Sequence, residues 1–87
     1  MDAVYNRTRH ELKTYLIGCR DAVKIGRTKN VTWRLSNLQA GNPDTLTILA
    51  TTSIAERELH KRFAGARIKN EWFRLTPELQ NFIASCT

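Results

Sequence analysis

Two short segments near the start of the chain are rich in residues that favour β-strands. They span residues 14–19 and 22–26, and only Arg20 and Asp21 lie between them. Two such runs joined by a tight connection are typical of an antiparallel hairpin. We therefore expect the first two strands to pair side by side.

A third strand is predicted after a turn at Asn42, Pro43 and Asp44. Over residues 45–52 apolar and polar side chains alternate, and threonines occupy most of the polar positions. Alternation of this kind indicates a half-buried strand. Its apolar face consists of Leu46, Ile48 and Ala50.

Helical periodicity follows the second strand. Asn30 is a favourable N-cap, Gly41 is a natural stop, and apolar residues recur between them at helical spacing. These residues are Val31, Leu35 and Leu38. A second helix is predicted over residues 53–66, opened by Ser53. Its apolar stripe consists of Ala55, Leu59, Phe63 and Ala66.

The two ends of the chain carry weaker patterns. Residues 70–75 predict a short extended piece, and Thr76 followed by proline predicts the start of a last helix over residues 77–84. At the other end, Thr8 and Glu11 have the spacing of one capped helical turn.

Length and charge narrow the class of partner. A chain of 87 residues is expected to form a single domain over residues 1–87, with its core at about residues 13–83. Lys and Arg outnumber Asp and Glu by 14 to 8, which gives a net charge of +6. An anionic partner is therefore expected, and nucleic acid is favoured over a membrane because no segment is strongly amphipathic. A basic surface that only maintains solubility is the alternative.

The cysteines and the hydropathy pattern point to an intracellular setting. Cys19 and Cys86 are too few for a disulfide framework, and no Cys/His spacing suggests a zinc site. The sequence contains no recognisable signal peptide or membrane-spanning run. A cytoplasmic protein with no membrane partner is expected.

Helical geometry distinguishes Arg34 and Glu56 from the other surface charges. At about 100° per residue, Arg34 flanks the apolar stripe of the first helix and can lean toward the sheet. Glu56 borders the stripe of the second helix, with His60 one turn further on. Each residue also has an ordinary alternative. Arg34 alone would be a packed stem with a solvated head, and Glu56 closes the S-x-x-E spacing of a capping box with Ser53.

Several short motifs, taken in order, resemble those of the GIY-YIG nuclease superfamily, and in particular a small phage and bacterial branch whose second motif is Lys-Ile-Gly. The ordered set is more specific than any single motif. The motifs are Tyr15-Leu16-Ile17, Lys24-Ile25-Gly26-Arg27-Thr28, Arg34-Leu35, Glu56-x-x-Leu59-His60-x-x-Phe63 and Glu71-Trp72-Phe73.

The resemblance implies an α/β (α+β) fold, with a three-stranded antiparallel sheet flanked by helices. It also implies metal-dependent hydrolysis of DNA phosphodiester bonds, with one divalent cation, Mg²⁺ or Mn²⁺. A hard cation of this kind can be held by a single carboxylate, waters and the substrate, so an acidic cluster is not required. The cell would be bacterial or a phage-infected host.

The resemblance also implies a role for individual residues. Tyr15 would orient or deprotonate the attacking water, and Lys24 stands where many members have a second tyrosine. Glu56 would hold the cation. Arg34 would contact the scissile phosphate, which suits the planar fork of a guanidinium. Arg27 and His60 complete the implied catalytic set, and the implied DNA contacts are Arg27, Lys29, Trp33, Arg34 and Lys61.

Ordinary structural roles remain open for these residues. Tyr15 alone would be a core aromatic, Lys24 an edge-strand charge and His60 a surface histidine. Glu71 would help to close the core, paired with a basic neighbour. A non-catalytic DNA-binding or inhibitor protein with the same fold is therefore the alternative function. Cutting both strands would need sequential nicks or two sites, so a weak homodimer is a further expectation.

Overall fold

The computed structural model describes residues 11–86, so the capped turn predicted at Thr8 and Glu11 lies outside the described residues. The chain alternates strands and helices. In chain order the elements are β1 (Lys13–Cys19), β2 (Ala22–Thr28), α1 (Val31–Ala40), β3 (Thr47–Thr52), α2 (Glu56–Arg62), a 3₁₀ turn (Ala64–Ala66), β4 (Arg67–Lys69), β5 (Trp72–Arg74) and α3 (Pro77–Ser85).

The strands form one antiparallel sheet in the order β3-β1-β2-β5-β4. The predicted hairpin is confirmed, because β1 and β2 pair as far as Cys19 and Ala22 and leave a two-residue turn. Arg20 in that turn has a φ of 58°, the left-handed conformation that hairpin turns use.

The prediction of three strands is wrong, because the described part of the chain already forms a five-stranded sheet. The additional strands, β4 and β5, are three residues long and meet at a turn in which Asn70 has a φ of 54°. Asparagine tolerates this left-handed conformation better than most residues. All three residues of β4 are exposed, so the hairpin carries little of the apolar alternation by which strands are recognised.

Helices cover both faces of the sheet. On one face Leu16, Val23 and Ile25 are buried with α2 and α3, together with Phe73 of β5. On the other face Tyr15, Ile17 and Leu46 are buried against α1. The residues of α1 that complete this second cluster are those of the predicted stripe, Val31, Leu35 and Leu38. The prediction of an antiparallel sheet flanked by helices is confirmed.

The ends of α1 and α3 follow the local signals in the sequence. Asn30 caps α1, since its side chain accepts a hydrogen bond from the Trp33 amide at 2.9 Å, and Gly41 ends the helix. Thr76 caps α3 in the same way through the Leu79 amide, at 3.2 Å. Both are the bonds that N-cap residues ordinarily supply.

The start of α2 differs from the prediction. The helix begins at Glu56 after Ala55, and no side chain caps it. The preceding segment is held by threonines of the sheet instead: Thr14 Oγ1 donates to the Ile54 carbonyl at 2.6 Å, and Thr52 Oγ1 accepts from the Ile54 amide at 3.2 Å. These contacts end the strand in a bend and delay the helix. The helix also ends early, at Arg62, before the 3₁₀ turn.

The regular alternation predicted for β3 is also corrected. Leu46 and Ala50 are buried as expected, but Ile48 is 36% exposed. Along β1, Leu16 lies opposite Ala50 and the next residue opposite Ile48, so Leu49 forms a bulge and packs against the core. An extra residue in one strand changes which side chains face inward.

Tyr15 and Gly26 lie opposite each other on β1 and β2. The Tyr15 side chain is 1% exposed, and its ring covers Gly26 so closely that a methyl group on Gly26 would lie 2.6 Å from Tyr15 Cζ. Glycine is therefore required here for close approach and not for an unusual backbone angle, since no described glycine has positive φ.

Gly26→Ala is expected to destabilise the protein by about 1–3 kcal/mol, because the buried ring must move to admit the methyl group. Thermal unfolding measures this as a fall of roughly 4–8 °C in Tm for each kcal/mol. Gly41→Ala is the matched control, because no atom lies within 4 Å of the added methyl group there. Equal Tm values for the two variants would contradict the assigned packing.

None of the helices between residues 11 and 86 has the length and apolar character needed to cross a membrane.

Candidate functional site

The site begins with a contact between β1 and α1. Arg34 Nε donates to the Tyr15 hydroxyl at 3.4 Å, and Arg34 is partly buried. Arg34 therefore leans toward the sheet, as its position beside the apolar stripe predicts. The hydrogen bond to Tyr15 raises the pKa of Arg34, and the charge of Glu71 acts in the same direction. The guanidinium is thus fixed next to the tyrosine.

Lys24 on β2 lies on the same face of the sheet as Gly26, because side chains two residues apart on a strand project together. Its Nζ lies 3.1 Å from Glu71 Oε1 and 5.6 Å from the centre of the Trp72 ring. The Lys24 side chain is only 14% exposed. A lysine this deeply placed needs a charged partner, and Glu71 provides it.

Glu56 lies at the start of α2 and faces two basic groups. Its Oε1 lies 3.8 Å from Arg27 Nε, and its Oε2 lies 3.5 Å from His60 Nε2, one turn further along the helix. Since Glu56 is the first residue of α2 and Ser53 makes no cap, the capping-box alternative for this carboxylate is wrong. Glu56 is directed into the site, with its side chain 18% exposed.

The two parts of the site meet at Glu56 and Glu71, whose carboxyl groups influence each other's pKa. Burial raises the pKa of Glu56, and Glu71 raises it further, whereas His60 and Arg27 oppose the change. Burial would also raise the pKa of Glu71, but the hydrogen bond and charge of Lys24 bring it below its ordinary value. Glu56 is therefore the more readily protonated of the two carboxyl groups.

Both ring nitrogens of His60 have partners. The ring donates from Nε2 to the Ile25 carbonyl at 2.8 Å, and Nδ1 accepts from Arg67 Nη2 at 3.1 Å. The carbonyl can only accept and the guanidinium can only donate, so these contacts define the tautomer. His60 also packs against the Phe73 ring at a centroid distance of 5.0 Å. In this arrangement His60 provides a hydrogen-bond donor for the Ile25 carbonyl at the edge of β2 and lies beside the Glu56 carboxyl group.

A cleft of about 430 Å³ opens beside Glu56, lined by Arg27, Arg57 and His60 as well as Ala55. Arg27 leans over this opening with its side chain 64% exposed. An open cleft with a carboxylate at its wall and arginines at its rim can receive a phosphate group.

The remaining residues predicted to contact DNA are not in contact with this centre. Lys29 is exposed after the end of β2, and Trp33 is 60% exposed on the outer side of α1. Lys61 lies on the exposed side of α2 beside Arg57 and Glu58. The structure thus brings Tyr15, Lys24, Arg27, Arg34, Glu56 and His60 to one region, and leaves these three residues on the surface around it.

Sequence reasoning missed the central place of Glu71. The expectation that Glu71 pairs with a basic neighbour is confirmed, but its contact with Glu56 and its influence on Arg34 were not foreseen. The available signal was indirect: a lysine on a strand that also carries buried residues requires a carboxylate from elsewhere in the chain. Arg67, which holds His60, carried no signal.

The described residues contain no group of three or more His, Cys, Asp or Glu side chains arranged to hold a metal ion. Within the same residues, no buried side-chain nitrogen or oxygen lacks a hydrogen-bond partner. Cys19 and Cys86 are free thiols, in agreement with the absence of a predicted disulfide.

Comparison with models of known protein families gives a match over most of the chain. The model of the T5orf172 domain matches residues 4–85, and the chain therefore belongs to the T5orf172 domain family, a domain found in some nuclease-like and phage proteins. Searches of curated proteins and of solved structures gave no significant match.

Ser53→Ala is expected to change the free energy of unfolding by less than about 0.5 kcal/mol, because Ser53 makes no cap on α2 and is exposed. Asn30→Ala removes a cap that exists and is expected to cost about 1 kcal/mol. Chemical denaturation of both variants measures the difference. If Ser53→Ala lowers the free energy of unfolding as much as Asn30→Ala does, Ser53 caps α2 after all, and Glu56 would be part of a capping box.

Proposed function

We propose that this member of the T5orf172 domain family is a metal-dependent DNA endonuclease with a GIY-YIG-like fold, which hydrolyses phosphodiester bonds with one divalent cation. The observation that carries the proposal is the meeting of a tyrosine-bound arginine, a paired lysine and a carboxylate at one edge of β2. These residues come from separate elements, and the resemblance in the sequence selects the same residues. A purely structural explanation does not require this coincidence.

The residues fit one hard divalent cation. Glu56 faces the open cleft, and its carboxyl group is in contact with that of Glu71. Burial and the nearby Glu71 raise the pKa of Glu56, and a divalent cation bound there would favour its charged form. Mg²⁺ or Mn²⁺ would be held by Glu56, with waters and substrate oxygens as the remaining ligands. Such an ion supplies a Lewis acid for the phosphate and lowers the pKa of bound water.

Arginines supply the positive charge that the reaction needs. In phosphodiester hydrolysis, negative charge builds up on the oxygens around phosphorus, and fixed donors aimed at them stabilise the transition state. Arg34 is held by Tyr15, and Arg27 stands at the rim of the cleft. Arg27 is only loosely engaged by Glu56, at 3.8 Å, and its side chain is 64% exposed, so it can turn toward a phosphate, while a cation bound at Glu56 would balance the charge left there.

Tyr15 has a restricted role in the unbound protein. Its side chain is buried, and Arg34 covers its hydroxyl. In the proposed mechanism Tyr15 first holds Arg34, and it can direct an attacking water only when Arg34 turns toward the phosphate. The Tyr15 hydroxyl would therefore become accessible only when substrate binds and Arg34 moves away from it.

A non-catalytic DNA-binding or inhibitor protein is the second candidate. The observation in its favour is that the charged groups at the centre already have partners: Lys24 has Glu71, Arg27 has Glu56, and the neutral His60 ring also lies beside Glu56. A set of pairs like this can stabilise a fold without any chemistry. The net charge of +6 would still attract DNA.

Cleavage of supercoiled plasmid with Mg²⁺ or Mn²⁺ tests the first candidate. Glu56→Gln and Arg34→Ala are each expected to lower the rate by roughly 100-fold or more, because each removes a group that acts in the transition state. Glu58→Gln is the matched control, since Glu58 is an exposed glutamate two positions along the same helix and should leave the rate unchanged.

A chelator should stop cleavage by the unmodified protein, while DNA binding by Glu56→Gln should persist. If the unmodified protein binds DNA but never nicks it with either metal, the non-catalytic candidate replaces the nuclease. If Glu58→Gln is as inactive as Glu56→Gln, Glu56 loses its assigned position at the site.

Trp33→Ala is expected to weaken DNA binding by about 1–3 kcal/mol, which corresponds to roughly 5- to 150-fold in Kd, because an exposed indole offers a stacking surface for a base. Thr32→Ala, at an exposed neighbouring position of α1, is the control. Fluorescence anisotropy with labelled single-stranded and duplex DNA measures both. Identical Kd values for the two variants would remove Trp33 from the DNA-contacting surface.

A further inference from the structure

We infer that Glu71 is a positioning residue of the site, which fixes the Lys24 ammonium and the Glu56 carboxylate relative to each other. The inference rests on the proposed nuclease function and goes beyond it, because the motif resemblance assigns no role in the reaction to this glutamate. Within residues 11–86, Glu71 is the one carboxylate that interacts with both parts of the site: Lys24 on one side and Glu56 on the other.

The backbone of Glu71 is held by the sheet. Its carbonyl accepts a hydrogen bond from the Ile25 amide at 2.9 Å, directly beside Lys24. The preceding residue, Asn70, has a φ of 54° and makes the turn that brings β5 back along β4. The following residue, Trp72, lies in register with Lys24. The side chain of Glu71 therefore starts from a fixed point next to the strand that carries Lys24.

Glu71 limits where the Lys24 ammonium can lie. A lysine has a long flexible stem, and its charged end reaches many positions when it is unrestrained. Here Nζ lies 3.1 Å from Glu71 Oε1 and 5.6 Å above the Trp72 ring. Together they hold a charge that is only 14% exposed on the face of the sheet that carries Tyr15. Without Glu71 the ammonium would turn toward solvent.

Glu71 also acts on the other part of the site. The Glu71 carbonyl binds the Ile25 amide, and His60, which lies 3.5 Å from Glu56, binds the Ile25 carbonyl, so both glutamates lie at the same edge of β2. The Glu71 carboxyl group raises the pKa of Glu56, and its charge attracts Arg34. Arg27 and His60 contact Glu56 from other directions. Glu56 is thus held from several sides, and Glu71 is the contact that relates it to Lys24.

Glu71→Gln tests the inference, because it keeps the shape of the side chain and removes its charge. Cleavage is expected to fall roughly 10- to 100-fold, the effect of a misplaced catalytic group. DNA binding, measured in Ca²⁺ or in a chelator, is expected to stay equal or become tighter, because one negative charge near Arg34 is lost. Glu78→Gln, an exposed glutamate on α3, is the matched control and should change neither quantity.

The second part of the test is a double-mutant cycle with Lys24→Met, which keeps an unbranched apolar stem. If Glu71 acts through Lys24, the rate of the Lys24→Met/Glu71→Gln variant should be close to that of the slower single variant. Glu71→Asp, which keeps the charge, should recover part of the activity of Glu71→Gln.

Three outcomes would overturn the inference: an unchanged rate for Glu71→Gln, fully additive losses in the cycle, or a parallel loss of Tm, DNA binding and cleavage that marks a structural role only. These results are distinguishable from failure of the proposed function. If the proposed function is wrong, the unmodified protein cuts no DNA with Mg²⁺ or Mn²⁺. If only the inference is wrong, the unmodified protein cuts DNA and Glu71→Gln cuts it at the same rate.

Discussion

The unequal length of two neighbouring strands is the constraint on which the site depends. β2 pairs with β1 from Ala22 to Thr28, but β5 covers only its first three residues, Ala22 to Lys24. From Ile25 onward, none of the described strands lies on that side of β2. Because a strand edge within a partly buried region needs partners for its peptide groups, other residues must supply them. The Glu71 carbonyl accepts from the Ile25 amide, and His60 donates to the Ile25 carbonyl.

These two backbone contacts determine which side chains meet. Satisfying the Ile25 amide places Glu71 next to Lys24, and satisfying the Ile25 carbonyl places α2, with Glu56, against the same edge. The early end of β5 therefore determines which side chains lie beside β2. It brings Glu71 from a hairpin turn and Glu56 from a helix to the same edge of β2, each beside basic groups. The charges compensate one another in a region where unpaired charge would be costly.

The parts of this arrangement that follow from local sequence were predictable. The caps at Asn30 and Thr76 use bonds between neighbouring residues, and the spacing along α1 placed Arg34 correctly beside the sheet. The same local signal failed at Ser53, because Thr14 of the distant strand β1 and Thr52 at the end of β3 both hold Ile54 and change where α2 begins. A capping motif competes with tertiary contacts that the sequence does not display.

The features that the sequence did not predict are those that depend on contacts between distant segments. The β4–β5 hairpin is short and exposed on its outer strand, so its position beside β2 is determined by pairing and not by a pattern within it. The Leu49 bulge likewise depends on the register with β1. The role of Glu71 was missed for the same reason, because it depends on where the β4–β5 hairpin packs against β2. A motif resemblance identifies residues by their order along the chain. It does not show which residue contacts several elements of the fold at once.

The pairing of every central charge has a consequence for how such a site could select its substrate. A phosphate that enters the cleft must compete with Glu56 for Arg27, and it must draw Arg34 away from the Tyr15 hydroxyl. The first exchange costs little, because Arg27 is largely exposed and its contact is long, whereas the second exposes the hydroxyl of a residue that is otherwise buried. Binding of a phosphate by Arg27 and release of Arg34 from the Tyr15 hydroxyl are therefore separable steps. If the proposed function holds, the basic surface would hold DNA through the first step alone, and only a ligand that also provides a partner for Arg34 would complete the second. Under that proposal, affinity for DNA and competence for chemistry would depend on different contacts of one small domain.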